Sequence, residues 1–303
     1  MHRSPHIVVI GSLNMDIVVE AKRPPMMGET VMGEHIHFIP GGKGANQAVA
    51  LARLGAKTAM IGAVGGDSFG QDLLHAMDRE GIDIAGVKCV PDSPTGVASI
   101  VLSGGDNQII VVPGANDACL PADLETQKAK ITAADVVLLQ LEIPLETVVH
   151  AAKTAKSLGK TVILNPAPAR PLPDELLQNV DVLIPNESEL LILAGKQPEE
   201  DLETVMRSLL KKGVRMVVTT LGAKGAAYLT ENERGFIPSH RVPVVDTTGA
   251  GDSFNAGFSY ALAKGEGVRD AVSFATKVAA LAVTRLGAQA GMPTLEQVEK
   301  FNH

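Results

Sequence analysis

The segment AAKTAKSLGKTVIL, residues 151–164, contains a pattern that recurs along this 303-residue chain. A helical stretch ends at Gly159, and the β-branched run Thr161–Leu164 follows it. The same arrangement occurs at Gly55 before Lys57–Ile61 and at Gly213 before Met216–Thr220. A glycine that follows a helix adopts the left-handed conformation at little cost. The pattern therefore predicts helices and strands that alternate.

Several predicted strands are continuous apolar runs rather than alternating ones. They are Ile7–Ile10, Val136–Leu141, Val162–Leu164, Val182–Ile184 and Met216–Thr219. Runs of this kind between helices indicate strands that are buried on both faces, as in a parallel sheet. The predicted fold class is therefore α/β, with right-handed crossover connections.

Two regions do not follow this pattern, at residues 13–40 and 95–112. Their strand-like pieces are Asn14–Glu20, Glu34–Ile39, Gly96–Ser103 and Gln108–Val112, the last two around a turn at residues 104–107. A turn of this composition between β-branched runs indicates a hairpin. We expect these pieces to form one small antiparallel sheet over one end of the main sheet.

The composition is that of a soluble globular protein, with 45% apolar and 20% charged residues and no Trp. The formal net charge of −7 argues against nucleic acid or an anionic membrane as a partner. Polar Met1–Pro5 and the short apolar run after it do not resemble a signal peptide, and no apolar stretch approaches the ~20 residues of a membrane span. Cys89 and Cys119 form no disulfide framework, so we expect a cytoplasmic protein.

The motif Asp246–Phe254, DTTGAGDSF, precedes an apolar helical pattern. Gly249–Gly251 are therefore expected at a helix N-terminus, where free N–H groups and the helix dipole favour an anion. Asp252, directly after this anion pocket, suits a general base that deprotonates a hydroxyl attacking a bound phosphoryl group. The alternative is a plain helix cap after a glycine turn, and the spacing alone gives the two about equal weight.

A second glycine-rich motif, Gly41–Gln47, opens an Ala- and Leu-rich helix. Lys43 and Asn46 offer donors to a polar ligand, although a tight loop before a helix needs no ligand. The motif is not a Walker A loop, because Gly44 follows Lys43 where Ser or Thr is required. No G-x-G-x-x-G follows a strand, so the nicotinamide-binding fingerprint is absent.

Three further segments have less specific patterns. Asn14 and Asp16 share one strand face, which suits recognition of hydroxyls or is simply an exposed face. Asn186–Glu189 follows a buried strand, at the edge where α/β proteins bind ligands, but acidic residues also begin ordinary helices. Thr219–Ala226 suits a turn near a nucleotide or a hairpin.

Together these segments resemble the ribokinase-type carbohydrate kinase family nearly end to end. The resemblance is carried by Asn14–Asp16, Gly41–Ala48, Val111–Asn116, Leu141–Pro144, Asn186–Glu189, Asp246–Phe254 and Val283–Gln289. It implies a single domain, residues 1–303, with a doubly wound, mostly parallel central sheet flanked by helices. A small antiparallel β-lid, formed by insertions at about 13–40 and 95–112, would cover the site and join two copies in a homodimer.

The resemblance also implies an activity, the ATP-dependent phosphorylation of D-ribose at the 5-hydroxyl, with Mg²⁺ and K⁺. The sugar would contact Asn14, Asp16, Gly42, Lys43, Asn46, Glu142 and Asp252. The nucleotide would lie by Asn186, Thr220, Gly222, Lys224, Gly225, Gly251 and Thr276. Asp252 would be the base, with Gly249, Ala250 and Gly251 as the anion hole, and Glu189 would organise Mg²⁺ through water.

The resemblance further implies a potassium site beside the anion hole, formed mostly by main-chain oxygens. Its residues would be Asp246, Thr248, Ala282, Arg285, Gly287 and Gly291. Members of the family often have Ser at the last of these positions, so this chain lacks that hydroxyl.

Three other functions were weighed. A kinase for another sugar or a nucleoside is the first alternative. A catalytically silent sugar-binding regulator is disfavoured, because a sensor needs neither Asp252 nor Gly249–Gly251. A nicotinamide-dependent enzyme lacks its fingerprint.

Overall fold

The computed structural model describes residues 3–104 and 106–301, in which the chain forms thirteen strands and twelve α-helices. The strands are β1 (His6–Ile10), β2 (Asn14–Glu20), β3 (His35–Gly41), β4 (Lys57–Gly65), β5 (Asp83–Val90), β6 (Gly96–Ser103), β7 (Asp106–Val112), β8 (Val136–Leu139), β9 (Thr161–Leu164), β10 (Val182–Leu183), β11 (Met216–Thr220), β12 (Gly225–Thr230) and β13 (Arg234–Pro238). The helices are α1 (Lys43–Arg53), α2 (Ser68–Arg79), α3 (Pro121–Thr126), α4 (Lys128–Ala133), α5 (Leu145–Ser157), α6 (Asp174–Leu177), α7 (Glu187–Ala194), α8 (Leu202–Leu210), α9 (Ala250–Ala263), α10 (Val268–Ala282), α11 (Ala288–Gly291) and α12 (Leu295–Lys300). Met1, His2, Gly105, Asn302 and His303 lie outside the described residues, and the turn predicted at 104–107 includes one of them.

The main sheet has nine strands within the described residues, in the order β13-β12-β11-β10-β9-β8-β1-β4-β5. Neighbours from β11 to β5 pair in parallel, whereas β12 and β13 pair antiparallel at one edge. The prediction of an α/β fold with a mostly parallel sheet is confirmed.

Two hydrophobic cores cover the two faces of this sheet. Along β1, Ile7 and Val9 pack in one core and Val8 and Ile10 in the other, and all four are fully buried. Helices α1, α2, α9, α10 and α12 contribute to the first core, and α3 to α8 to the second. Burial on both faces explains why the inner strands contain continuous apolar runs such as Ile7–Ile10.

The second sheet has the order β3-β2-β6-β7 within the described residues. Its outer pairs, β2–β3 and β6–β7, are antiparallel as predicted, while the central β2–β6 pair is parallel. The reason is topological. Because β2 follows β1 and β6 follows β5, both strands leave the same edge of the main sheet in the same direction.

No helix within residues 3–104 and 106–301 has the length and apolar character that a membrane span requires.

Candidate active site

The first turn of α9 contains the acidic residue that the sequence singles out. Gly249 precedes the helix in the left-handed conformation, with φ of 76°, and a Cβ there would lie 2.9 Å from the Ala288 Cβ. Asp252 lies in the first turn and is only 8% exposed. The predicted glycine-led helix start is therefore present, and a larger residue at position 249 would be strained.

Two amide side chains of α1 hold the Asp252 carboxylate. Asn46 Nδ2 donates to Oδ2 at 2.9 Å, and Gln47 Nε2 donates to Oδ1 at 3.0 Å. Burial raises the pKa of the Asp252 carboxyl, against the opposing effects of the Lys43 ammonium and the two amides. A buried carboxyl with a raised pKa beside an anion-binding helix start has the properties of a general base.

Asn14 and Asp16, at the start of β2, are buried and half-buried rather than on an exposed face. Asn14 Oδ1 accepts a hydrogen bond of 2.7 Å from Asn116 Nδ2. Burial raises the pKa of Asp16 to about 7, and the nearby carboxylates of Glu142 and Asp252 add to the effect. These groups are suited to accept hydrogen bonds from a polyhydroxyl ligand.

Lys43 and Glu142 join the β2 side of the site to α1. Glu142 Oε2 accepts hydrogen bonds from Ser12 Oγ at 2.6 Å and from the Lys43 backbone N–H at 3.2 Å, and the Lys43 ammonium lies 4.0 Å from Oε1. Burial acts to lower the pKa of Lys43, but the surrounding carboxylates, Asp252 first among them, raise it overall. The lysine therefore stays charged among acidic groups.

On the other side of Asp252 lies a small cleft of about 150 Å³ at the carboxyl ends of β9, β10 and β11. It is lined by Lys43, Asn165, Ala167, Ile184, Asn186, Glu189, Thr220, Gly249, Gly251, Asp252 and Asn255. Ligands of parallel α/β sheets bind at this edge.

Asn186 and Glu189 are locked together in this wall. Asn186 Oδ1 accepts from the Glu189 N–H, and Glu189 Oε2 accepts from the Asn186 N–H, both at 2.8 Å. This reciprocal pair is a capping box that begins α7. Burial raises the pKa of Glu189, and the Asn186 N–H and the Lys43 ammonium oppose that effect.

Three of the remaining residues predicted at the nucleotide, Gly222, Lys224 and Gly225, follow β11 at the same edge. Gly222–Lys224 form a turn of 3₁₀-helix between β11 and β12, and Gly225 begins β12. Thr276 is buried on α10, where its hydroxyl donates to the Ser273 carbonyl at 2.8 Å. These residues do not line the cleft at Asp252.

The residues predicted at a cation site converge through Asp246. Its Oδ1 accepts from the Thr248 N–H at 2.9 Å and Oγ1 at 2.7 Å, and its Oδ2 accepts from the Gly287 N–H at 2.8 Å. Although burial acts to raise the pKa of Asp246, these hydrogen bonds hold it below its ordinary value. The side chain closes the loop, which leaves main-chain oxygens as the available ligands.

Gly291 is the last residue of α11 and lies close to two of the predicted carbonyl groups. A Cβ at position 291 would lie 2.3 Å from the Ala282 oxygen and 3.6 Å from the Arg285 oxygen. The backbone has therefore closed around a residue with no side chain, and a serine here would have to displace it.

Sequence reasoning missed a set of buried amides behind Asp252. They are Gln47, Gln140 and Asn165. Gln47 belongs to a quoted motif without an assigned role, and Gln140 is the polar residue in the apolar run Val136–Leu141. A glutamine within a run of otherwise apolar residues was the sequence feature that could have indicated a buried polar group at this position.

Comparisons with known proteins agree with this geometry. The chain is 44% identical over 296 residues to a ribokinase of Bacillus subtilis, covering 98% of this chain and 99% of that protein. It is 37% identical to a deoxyribokinase of Salmonella typhimurium over 97% of this chain and 98% of that protein. A structure of Arabidopsis thaliana ribokinase complexed with ribose and ATP superimposes with a TM-score of 0.92 at 37% identity, covering 99% of this chain and all of that one. The model of the pfkB family of carbohydrate kinases matches residues 4–295, and this chain belongs to that family.

Proposed function

We propose that the protein is a cytoplasmic kinase that transfers the γ-phosphoryl group of ATP to the 5-hydroxyl of D-ribose. The observation that carries the proposal is that Asp252 belongs to both halves of the site. Its carboxylate accepts a hydrogen bond from Asn46, a residue proposed to bind the sugar, and also lines the cleft that contains Asn186 and Thr220. The B. subtilis ribokinase and the A. thaliana complex support this choice of substrates. Cys89 and Cys119 are free thiols, as a reducing compartment favours.

The reaction is an in-line displacement in which Asp252 takes the proton of the 5-hydroxyl. The sugar oxygen forms a bond to the γ-phosphorus, the bond between that phosphorus and the β,γ-bridging oxygen breaks, and ADP leaves. The N-terminus of α9 at Gly249–Gly251 stabilises the negative charge that develops on the transferred group. Asn14, Asp16 and Glu142 orient the sugar.

The residues present fit the two metal ions that the family implies. Glu189 presents a carboxylate on the cleft wall, the hard oxygen donor that Mg²⁺ prefers, and would hold it through water. The carbonyl groups of Ala282 and Arg285 surround Gly291 and would hold K⁺ together with main-chain oxygens near Asp246. When bound, these cations supply positive charge that offsets the phosphates and the acidic side chains.

The second sheet has the properties of a lid that pairs with a second copy of the chain. Phe38, Ile110 and Val112 share the sheet face opposite to Asp16, and each is more than half exposed. Apolar residues grouped in this way mark an interaction surface. We expect a homodimer through this face, which light scattering coupled to gel filtration would measure. A double substitution Phe38→Asp and Ile110→Asp should yield monomers.

The activity is tested by an assay of ADP release over a panel of pentoses, hexoses and nucleosides, with ³¹P NMR to locate the phosphate on the product. We expect ribose to be the preferred acceptor and Asp252→Asn to lower kcat by about 10²–10⁴ while the fold and sugar binding persist. The exposed Asp72→Asn, on α2, is the matched control. Turnover of Asp252→Asn within a few-fold of the unmodified protein would show that Asp252 is not the general base.

The second candidate is a kinase for 2-deoxyribose, which the similarity to the Salmonella deoxyribokinase favours. We place ribose ahead because Asn14 and Asp16 are largely withdrawn from water and are costly to leave without hydrogen-bond partners. A site of this kind discriminates against the analogue that lacks the hydroxyl, here by about 10²-fold if water fills the gap. Equal kcat/KM for the two sugars would favour the second candidate.

A further inference from the structure

A buried glutamine lies directly behind the proposed base. Gln47 is fully buried on α1. Its Nε2 donates to Asp252 Oδ1 at 3.0 Å and to Asn165 Oδ1 at 3.1 Å, and its Oε1 accepts from Gln140 Nε2 at 2.6 Å. Both N–H groups and the carbonyl oxygen are engaged, so the orientation of this amide is fixed.

The partners of Gln47 are anchored to three adjacent strands of the main sheet. Gln140 directly follows β8, and Asn165 directly follows β9. Asn165 Nδ2 in turn donates at 3.1 Å to the carbonyl of Ile184, the residue after β10. The carboxyl edge of the sheet therefore determines where the Gln47 amide can lie.

Only the Nε2 group of the Gln140 side chain takes part in this hydrogen-bond network. Its Nε2 donates to Gln47, whereas its buried Oε1 has no hydrogen-bond partner among residues 3–104 and 106–301. A buried acceptor without a partner is unfavourable for stability. An amide retained in this state is better explained by what its N–H does to Gln47 than by its own packing.

We propose that Gln47, oriented by Gln140, is a positioning residue for phosphoryl transfer that fixes Oδ1 of Asp252 and leaves Oδ2 to take the proton. The inference rests on the proposed role of Asp252 as base. Asn46, which donates to Oδ2, is also expected at the sugar and can exchange its partner when sugar binds. Gln47 has no such second role and holds the carboxylate throughout.

The same hydrogen bond favours the ionised form of the base. Burial raises the pKa of Asp252, and the Gln47 and Asn46 amides and the Lys43 ammonium lower it, while the Glu142 carboxylate raises it further. The carboxylates of Asp16 and Glu189 also interact with Asp252. Since these charged groups are unchanged when Gln47 is replaced, loss of its N–H should raise the pKa of the base.

The test is Gln47→Met, which keeps a similar volume and removes the donor. We expect the single-turnover rate of phosphoryl transfer to fall by about 10- to 100-fold, as for a lost hydrogen bond to a charged group. The acidic limb of its pH profile should move to higher pH by about one unit. The KM for the sugar should change by less than about 3-fold, because Gln47 does not contact it.

Two further variants separate positioning from structural support. Gln140→Met should also move the acidic limb of the pH profile to higher pH, with a smaller loss of rate than Gln47→Met. If Gln47→Met does not fold, Gln140→Met tests the positioning role instead. Thr147→Val removes another buried donor on α5, the hydroxyl that donates to the Cys119 carbonyl at 2.7 Å in the second core. It should leave the pH profile unchanged.

A folded Gln47→Met with a lower melting temperature but an unchanged rate and pH profile would show that the amide is only a structural link, and would overturn the inference. The same result for a folded Gln140→Met, where Gln47→Met does not fold, would also overturn it. Asp252→Asn, measured in parallel, identifies a failure of the proposed function. If Asp252→Asn loses activity and the glutamine variants do not, the base is correct and the positioning role is wrong.

Discussion

Replacement of Asp16 by Asn should stabilise the protein at alkaline pH while it weakens sugar binding. Burial and the neighbouring carboxylates of Glu142 and Asp252 raise the pKa of Asp16 from an ordinary value of 3.8 to about 7. Between pH 3.8 and about pH 7, the Asp16 carboxyl is therefore protonated in the folded protein and ionised in the unfolded chain. The free energy of unfolding must then fall as the pH rises across this interval, because the folded state binds more protons.

The size of the effect follows from the interval that an experiment spans. Between pH 5 and pH 8.5, the unfolded carboxyl stays ionised and the folded one loses its proton near pH 7. The two units from pH 5 to that pKa correspond to about 2–3 kcal/mol at 1.36 kcal/mol per unit. Asn does not titrate, so Asp16→Asn should be more stabilising at pH 8.5 than at pH 5 by this amount.

Urea unfolding of both proteins at the two pH values measures this difference. Effects of the amide that do not depend on pH cancel in the comparison. The exposed Asp72→Asn, measured at the same two pH values, is the control for the change from carboxylate to amide. A stability difference between Asp16→Asn and the unmodified protein that is the same at pH 5 and pH 8.5 would refute the argument that Asp16 is held protonated by its surroundings.

The remaining predictions concern the cation loop, the helix start and the sugar. Potassium should activate the enzyme more than sodium does, and Asp246→Ala should weaken that activation because it opens the loop; equal activity in potassium and in a large organic cation would count against the site. Gly249→Ala should destabilise the fold by roughly 1–3 kcal/mol in urea unfolding, since Ala must adopt a positive φ and meet Ala288; no loss would contradict the strained geometry. Asn14→Met should narrow the preference for ribose over 2-deoxyribose by lowering kcat/KM for ribose most, and an unchanged ratio would show that Asn14 does not read the 2-hydroxyl.

The alternation of helices and strands was predictable because its causes are local. Glycines that end helices have φ of 86° at Gly55 and 71° at Gly159, a conformation that only glycine adopts freely. Burial on both faces makes a strand such as β1 apolar at four consecutive positions, Ile7 to Ile10. The edge strands β5 and β13 were not predicted, because half-exposed positions interrupt the apolar runs by which the inner strands were recognised.

The limits of the site prediction have a different cause. The glycine-led start of α9 and its acidic residue lie within one motif, so spacing alone brings them together. The amides behind Asp252 come from α1 and from the ends of β8 and β9, and Gln47 is 93 residues from Gln140 and 118 residues from Asn165 in sequence. Only the sheet order makes them neighbours. The parallel pairing of β2 with β6 was missed for the same reason, since it depends on where the preceding strands lie.

The electrostatics of the site disfavour full ionisation of its acidic groups when no ligand is bound. Asp16, Glu142, Glu189 and Asp252 all act on Lys43, so acidic groups outnumber the cation that faces them. Burial raises the pKa values of Asp16, Glu189 and Asp252, so ionising each of them within the folded protein carries a free-energy cost. Hydroxyl donors of a sugar would relieve this cost on one side of Asp252, and cations that accompany a nucleotide would relieve it on the other. Because both relieve the same set of charges, each ligand should bind more tightly when the other is present. We therefore expect the acidic surplus of the free site to couple the binding of the two substrates.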